Sequence, residues 1–247
     1  MVRDVRGLAG AWAEHQRHDF PTPSPDLAPY VERYWVVSWR YDQPYRQLVV
    51  PYPNVHLTFR AGAASVQGAR GGHQVKVLRG EGRVFGVAFR PGVFRAFLGA
   101  PVRTITDRVL DAERVFGPEL PRDPGVAEVE GFLRARLPAP DPAAGQAVEA
   151  VARIAAHPAL TRVEALAREL GVGVRHLQRL FAEHVGLSPK RVIRRYRLRE
   201  VTRRLERGER VAWAALAAEL GYVDQSHLVR DFRKVFGEPP AWYAGRY

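Results

Sequence analysis

The sequence predicts an α+β protein. A mostly antiparallel β domain, barrel- or sandwich-like with flanking helices, is followed by an all-α domain in which one helical unit occurs twice about a linker helix. Three observations lead there. Residues 34–89 carry short β-branched and aromatic runs separated by Gly and Pro clusters, the spacing of all-β hairpins. Pro138 to Gly145 reads PAPDPAAG and has no apolar period, as a connector does. Beyond it, two segments match one another at a near-constant offset.

Composition bounds the chemistry. Of 247 residues, 46% are apolar and 26% charged, a globular balance. With no cysteine there is no disulfide, thiolate metal site or cysteine nucleophile. No apolar run reaches the roughly 18 residues of a membrane span, so no membrane partner is expected. Met1 to Phe20 lacks an apolar stretch before a small-residue cleavage site, so no secretory leader is expected and a cytoplasmic location is. The charge is less ordinary: 38 Lys and Arg against 26 Asp and Glu give +12. A cut at 147/148 leaves 19 bases against 15 acids before it and 19 against 11 after it, net +4 and +8. Arg175 to Arg210 alone holds 12 bases and 4 acids, also +8. A basic run is commonly just a solvated face. It gains meaning where it coincides with a geometry that fits a polyanion, nucleic acid being the commonest.

Taken in order, the strand candidates are Tyr34 to Tyr41, Gln47 to Val50, Val55 to Phe59, Val75 to Leu78 and Val84 to Phe89. Pro91 then opens a helix through Phe94, Phe97 and Leu98, stopped by Gly99 and Pro101. A second helix covers Val126 to Leu137. The division expected is residues 1–137, a linker at 138–147, and 148–247.

The repeat is specific. Leu166, Ala167, Glu169, Leu170 and Gly171 recur 50 residues later as Leu216, Ala217, Glu219, Leu220 and Gly221. Leu177, Arg179, Phe181, Gly186 and Pro189 recur 51 residues later as Leu228, Arg230, Phe232, Gly237 and Pro240. The offset changes in the turn, where insertions are cheapest. Each copy reads as a helix, a glycine suited to the left-handed C′ position, and a crossing amphipathic helix: a helix-turn-helix. With Leu177, Leu180 and Phe181 turned inward, Arg175, Gln178 and Arg179 face out. With Leu228 and Phe232 inward, Gln225, Ser226, His227 and Arg230 face out, behind an Asp224 N-cap. Arginine can bind guanine, and glutamine adenine, through two hydrogen bonds each. These seven are the candidate base-reading residues; the bland alternative is a solvated polar surface.

Between the copies, Pro189 opens a helix that runs without Gly or Pro to Gly208. Some 18 residues span about 27 Å. Successive major-groove faces lie about 34 Å apart, so one chain can set two helices into adjacent grooves. Lys190, Arg191, Arg194 and neighbouring Arg195 supply charge along this helix, with Arg233 and Lys234 late in the second unit, as candidate phosphate contacts.

Residues Val148 to Trp242 resemble the AraC/XylS family of bacterial transcription regulators. The match rests on Arg175, His176, Leu177, Gln178, Arg179, Leu180 and Phe181 in the first unit. In the second it rests on Gly221, Asp224, Gln225, Ser226, Arg230, Phe232, Lys234, Phe236, Gly237 and Pro240. Tyr222 and Leu228 stand where the family usually has Phe, Gly173 and Val174 replace a Ser-containing first turn, and Val201 replaces a small Ala. A Ser-to-Gly cap loss costs only a few tenths of a kcal/mol. The resemblance implies double-stranded DNA as partner. It also implies a sensing or dimerising, often cupin-like, N-terminal domain that takes a small-molecule effector or pairs two chains, and contact with RNA polymerase if the protein activates. No cofactor is implied. Residues 30–60 hold eight aromatics, which form core or line a pocket; Trp35, Trp39, Tyr52 and His56 are the ligand-binding candidates. His56 and His73 lack the clustered partners of a cupin metal site, and His15 and His18 read as surface, so no metal site is assigned. The competing reading is a cupin-type β-barrel enzyme fused to a DNA-targeting domain. Its DNA-alkyl-transfer version needs a cysteine that the chain does not have.

Overall fold

The structure, a computed structural model, describes residues 15–50 and 52–244. Most of the segment read as free of a leader, residues 1–14, lies outside the described residues. The N-terminal domain is one six-stranded antiparallel sheet in the order β1-β2-β5-β3-β4-β6. The strands are β1 Gln16–Asp19, β2 Val31–Val49, β3 His56–Arg60, β4 Ala63–Gln67, β5 Gln74–Phe89 and β6 Val109–Asp111.

Two pairs of expected strands are single long ones. Tyr34 to Tyr41 and all but the last residue of Gln47 to Val50 lie in β2, which bulges between Tyr41 and Tyr45. Val75 to Leu78 and Val84 to Phe89 both lie in β5. The RGEG cluster at 79–82, read as a break, is inside the strand. Gly80 takes a positive φ of 53° near the bulge. Gly82 and Gly86 pair with Trp39 and Trp35, and each leaves room for the indole opposite. A Cβ on Gly82 would lie 2.3 Å from Trp39 Cζ2, and one on Gly86 2.1 Å from Trp35 Cε2. These glycines serve close packing rather than a turn.

The period of two sorts the aromatics onto two faces. Tyr34, Leu57, Phe59, Phe85 and Phe89 form the core with α1 (Arg95–Leu98), α2 (Glu113–Phe116) and α3 (Val126–Arg134). Trp35, Val37, Trp39, Tyr41 and Leu78 form a second cluster on the opposite face. Gly99 closes α1 at φ 68°, as its position after Leu98 predicts.

The expected linker is extended only as far as Asp141. Helix α4 spans Pro142–Ala156, and Asp141 caps it by accepting from the Ala143 N–H at 2.9 Å. Proline suits the first helical turn and Asp the N-cap, so a Pro- and Ala-rich stretch is as good a helix start as a connector. Ala147, Ala150, Val151 and Ile154 of α4 are buried against the first helical unit.

That unit is α5 (Val163–Glu169) and α6 (Val174–His184); the second is α8 (Trp213–Glu219) and α9 (Gln225–Phe236). Gly171 and Gly221, at φ 65° and 70°, make the matching turns. The linker helix α7 (Pro189–Glu206) starts on a Ser188 cap and serves both cores. Val192 and Ile193 join Leu166, Leu177 and Phe181, whereas Leu198, Val201 and Leu205 join Leu216, Leu228 and Phe232. Helix α10 (Pro240–Ala244) places Tyr243 on the second core.

Candidate nucleic-acid interface and interdomain cavity

In α6, Leu177 and Phe181 are fully buried while Arg175, Gln178 and Arg179 are exposed. His176 is half-buried, its Nε2 3.4 Å from Gln146 Oε1. In α9, Leu228 and Phe232 are fully buried and Gln225, Ser226, His227 and Arg230 are exposed. Asp224 caps α9 as expected, its Oδ1 accepting from the His227 N–H at 2.7 Å. Just before it, Val223 is 88% exposed, an apolar group at the mouth of the helix that the sequence reading passed over. The two units therefore present equivalent polar faces on equivalent buried anchors.

Around the turn of the second unit, Tyr222, Asp231 and Arg197, none of them a predicted site residue, join Arg194 in tying α7 to α9. The Tyr222 hydroxyl donates to Asp231 Oδ2 at 3.3 Å, Arg194 Nη1 lies 3.8 Å from Asp231 Oδ1, and Arg197 stacks 4.2 Å above the Tyr222 ring. Burial pushes the Tyr222 hydroxyl above its ordinary pKa. A Tyr in place of the usual Phe was the available signal, because a buried hydroxyl requires a partner.

The basic face of α7 is divided. Lys190, Arg233 and Lys234 are exposed. Arg194 is half-buried against Asp231, which corrects its assignment as a phosphate contact. Arg195 is corrected more strongly: it is only 6% exposed, and its Nη2 donates to the Arg70 carbonyl at 3.0 Å. Arg191 keeps an exposed head but sits 3.8 Å from Asp107 and against Gly71. The reason is common to all three. Two sides of α7 face protein, and a sequence does not say on which side a second domain docks.

That docking uses the loop 70–73, which lies in a gap between two strand candidates. The Gly71 N–H donates to Asp107 Oδ1 at 2.8 Å, and His73 lies against Gly237 at the end of α9. The Thr106 hydroxyl donates to the Gly186 carbonyl at 2.6 Å, and His184 Nδ1 lies 3.3 Å from the Gly92 carbonyl.

Between the sheet and α7 is a cavity of about 500 Å³. Trp35, Trp39, Tyr52 and His56, the four ligand candidates, all line it. So do Arg195, Arg199 and Thr202 of α7 and Phe236 and Tyr243 of the second unit, so both domains form its walls. Tyr52 lies between two guanidinium groups, 5.0 Å from Arg33 Cζ and 4.2 Å from Arg199 Cζ. The Trp35 Nε1–H donates to His56 Nδ1 at 3.2 Å. Burial, with the nearby Arg33 charge, lowers the His56 pKa to about 4, so the ring is neutral at neutral pH. His15 is exposed and His18 bonds to Gln16. Among the described residues, no group of three or more His, Cys, Asp or Glu side chains is placed to hold a metal. No described helix is long and apolar enough to cross a membrane.

The fold thus defines a class: a β-sheet domain docked on a two-unit helix-turn-helix domain. Residues 166–246 match the family described as a helix-turn-helix domain, and residues 20–111 match a domain of unknown function, DUF6597. The helix-turn-helix match overlaps the stretch whose sequence resembles the AraC/XylS regulators. Over 75 residues the chain is 33% identical to the HTH-type transcriptional activator RhaS of Pectobacterium atrosepticum. It is equally similar to that of Pectobacterium carotovorum. The match covers 30% of this chain and 26% of those relatives, so the chain spans about a quarter of their length. Among solved structures, ToxT from Vibrio cholerae aligns over 94% of this chain and 98% of its own, with 8% identity and a TM-score of 0.45. A structure of ToxT bound to an unsaturated fatty acid aligns over 85% of this chain and 94% of its own, with 12% identity and a TM-score of 0.41.

Proposed function

We propose that the protein is a sequence-specific DNA-binding transcription regulator that acts by binding rather than by catalysis. One observation carries this reading. The exposed sets Arg175, Gln178, Arg179 and Gln225, Ser226, His227, Arg230 occupy equivalent faces of two repeated units joined by one rigid helix. Each set offers bidentate donors to base edges, and 18 residues of helix space the two at nearly a helical turn of DNA. Lys190, Arg233 and Lys234 supply phosphate contacts. The N-terminal domain modulates binding through a small-molecule effector in the cavity or by pairing two chains, and an activating form contacts RNA polymerase. Residues 141–247, which include the α4 cap, form the independent DNA-binding unit, a boundary earlier than the sequence suggests.

The test is selection of bound sequences from a random duplex pool with the full chain, followed by footprinting. The expected result is a site with two contacted segments about one helical turn apart. Retention of the pool without any enriched sequence overturns the reading.

A further inference from the structure

The lining of the interdomain cavity has an unusual charge. Arg33, Arg60, Arg70, Lys76, Arg195 and Arg199 all contribute to it, and no Asp or Glu does. None of these six makes an ion pair with a carboxylate among the described residues. Acids act on this lining from outside it: Asp107 favours the Arg195 cation and Glu206 that of Arg199, while Glu206 also accepts from the Tyr243 hydroxyl and Glu32 from Asn54. Much of the rest is apolar, chiefly Trp35, Val37, Trp39, Leu78 and Phe236, with Gln47, Gln67 and Gln74 among the neutral polar groups.

Arg195 is the telling group. It is 94% buried, its Nη2 takes the Arg70 carbonyl, and its Nη1 is buried with no acceptor. Burial, reinforced by Arg191 and Arg194, lowers its pKa to about 10, which still leaves it charged at neutral pH. Buried Nε atoms of Arg33 and Arg70 also lack acceptors. A buried cation without a counter-charge costs several kcal/mol, and an unmet N–H adds to that cost. The ring of Tyr52 beneath Arg33 and Arg199 is a weaker partner than an anion. A cavity of this size, with aromatic and aliphatic surface and a set of cations, has the form of a small-molecule site.

We propose that this cavity binds an organic anion with an apolar body, its acid group held by Arg195 together with Arg33 and its body lying on Trp35 and Trp39. The effector role of that anion rests on the regulator reading above; the site itself does not. Cations fit it poorly, through repulsion by six like charges.

The test uses two fluorescent probes with one ring system, anilinonaphthalene sulfonate and its neutral counterpart phenylnaphthylamine, titrated into the full chain. The sulfonate should saturate a single site and bind more tightly than the neutral probe. Arg195→Gln, which keeps a donor for the Arg70 carbonyl, should weaken the sulfonate about tenfold or more and leave the neutral probe unchanged. Arg40→Gln, outside the cavity, should alter neither. If the neutral probe binds as tightly as the sulfonate, or Arg195→Gln weakens both alike, the proposal is overturned. Should Arg195→Gln fail to fold, Arg33→Gln on the sheet wall decides by the same criterion. DNA binding by the same preparations separates the two readings. Lost probe selectivity with intact DNA binding removes the anion site alone. Selective probe binding without DNA binding removes the regulator and leaves the site.

Discussion

At the scale of single residues, side-chain type predicts chemistry and helical face predicts exposure. Arg179 and Arg230 are legible on both counts, because each follows a buried Leu at a fixed step in a repeated unit. Replacing either by Ala should remove about 1–3 kcal/mol of discrimination and relax preference at a few base pairs. Lys190→Ala should instead weaken every duplex alike and flatten the log–log salt dependence by about 0.9. Binding of each variant to cognate and scrambled duplexes over a salt series distinguishes them; equal losses on both duplexes for the arginines remove their base-reading role. Arg194 and Arg195 were not legible, since their partners, Asp231 and the Arg70 carbonyl, are 37 and 125 residues away. His56 was legible as a pocket residue but not as a neutral one. Its pKa is depressed to about 4 from an ordinary 6.5, so the unfolded chain binds the proton more readily. Its stabilising contribution is complete above pH 6.5 and is lost as pH falls toward 4. Burial depresses His184 in the same direction. The thermal midpoint should drop across that window in the native protein and drop less in His56→Gln. Equal slopes for the two proteins would show that His56 does not govern the loss.

At the scale of elements, periodicity carries far in helices and less far in strands. The repeat marks both helix pairs and their glycine turns, because each turn needs a positive φ that glycine adopts without strain. The controls for base reading follow from the same pattern. Leu177→Ala and Leu228→Ala, both at fully buried positions, should each cost about 2–5 kcal/mol in denaturant unfolding and change specificity little in the folded fraction. In the sheet, glycine was ambiguous. Gly86 falls inside an expected strand, but Gly82, which also sits in mid-strand because an indole crosses it, falls in a gap between two, and nothing in a local window distinguishes that from a turn. Gly86→Ala forces Trp35 aside and should cost about 1–3 kcal/mol. Since Trp35 also lines the cavity, sulfonate-probe affinity should fall with it; an unchanged midpoint would mean that the indole has room the structure does not show. The Pro- and Ala-rich connector illustrates the same limit from the other side, as composition alone does not separate a linker from a proline-started helix.

At the scale of the molecule, the informative feature is how the sheet domain holds α7. Asp107 accepts the Gly71 N–H and faces Arg191, while Thr106 bonds to the Gly186 carbonyl at the end of the first unit. The N-terminal domain thus occupies a cation that is a candidate phosphate contact. The pair is 3.8 Å apart with side chains 42% and 51% exposed, so it is worth at most about 1 kcal/mol and is suited to exchange. Asp107→Asn isolates this contact. Asp107 takes a positive φ of 58°, which Asn tolerates, and an Asn carbonyl still accepts from Gly71. The charge that faces Arg191, and that also favours the Arg195 cation, is lost. Thermal stability should therefore stay within about 1 kcal/mol of the native protein. Arg191 becomes free to meet a phosphate, so DNA affinity should rise at low salt and the log–log salt slope steepen by up to about 0.9. The double variant Asp107→Asn, Arg191→Ala should lose that gain, because the freed cation is its source. Binding of one duplex by all three proteins over a salt series measures the slopes. A slope that Asp107→Asn leaves unchanged, in a protein that folds normally, would show that Arg191 does not reach the DNA and that the sheet domain does not compete for it.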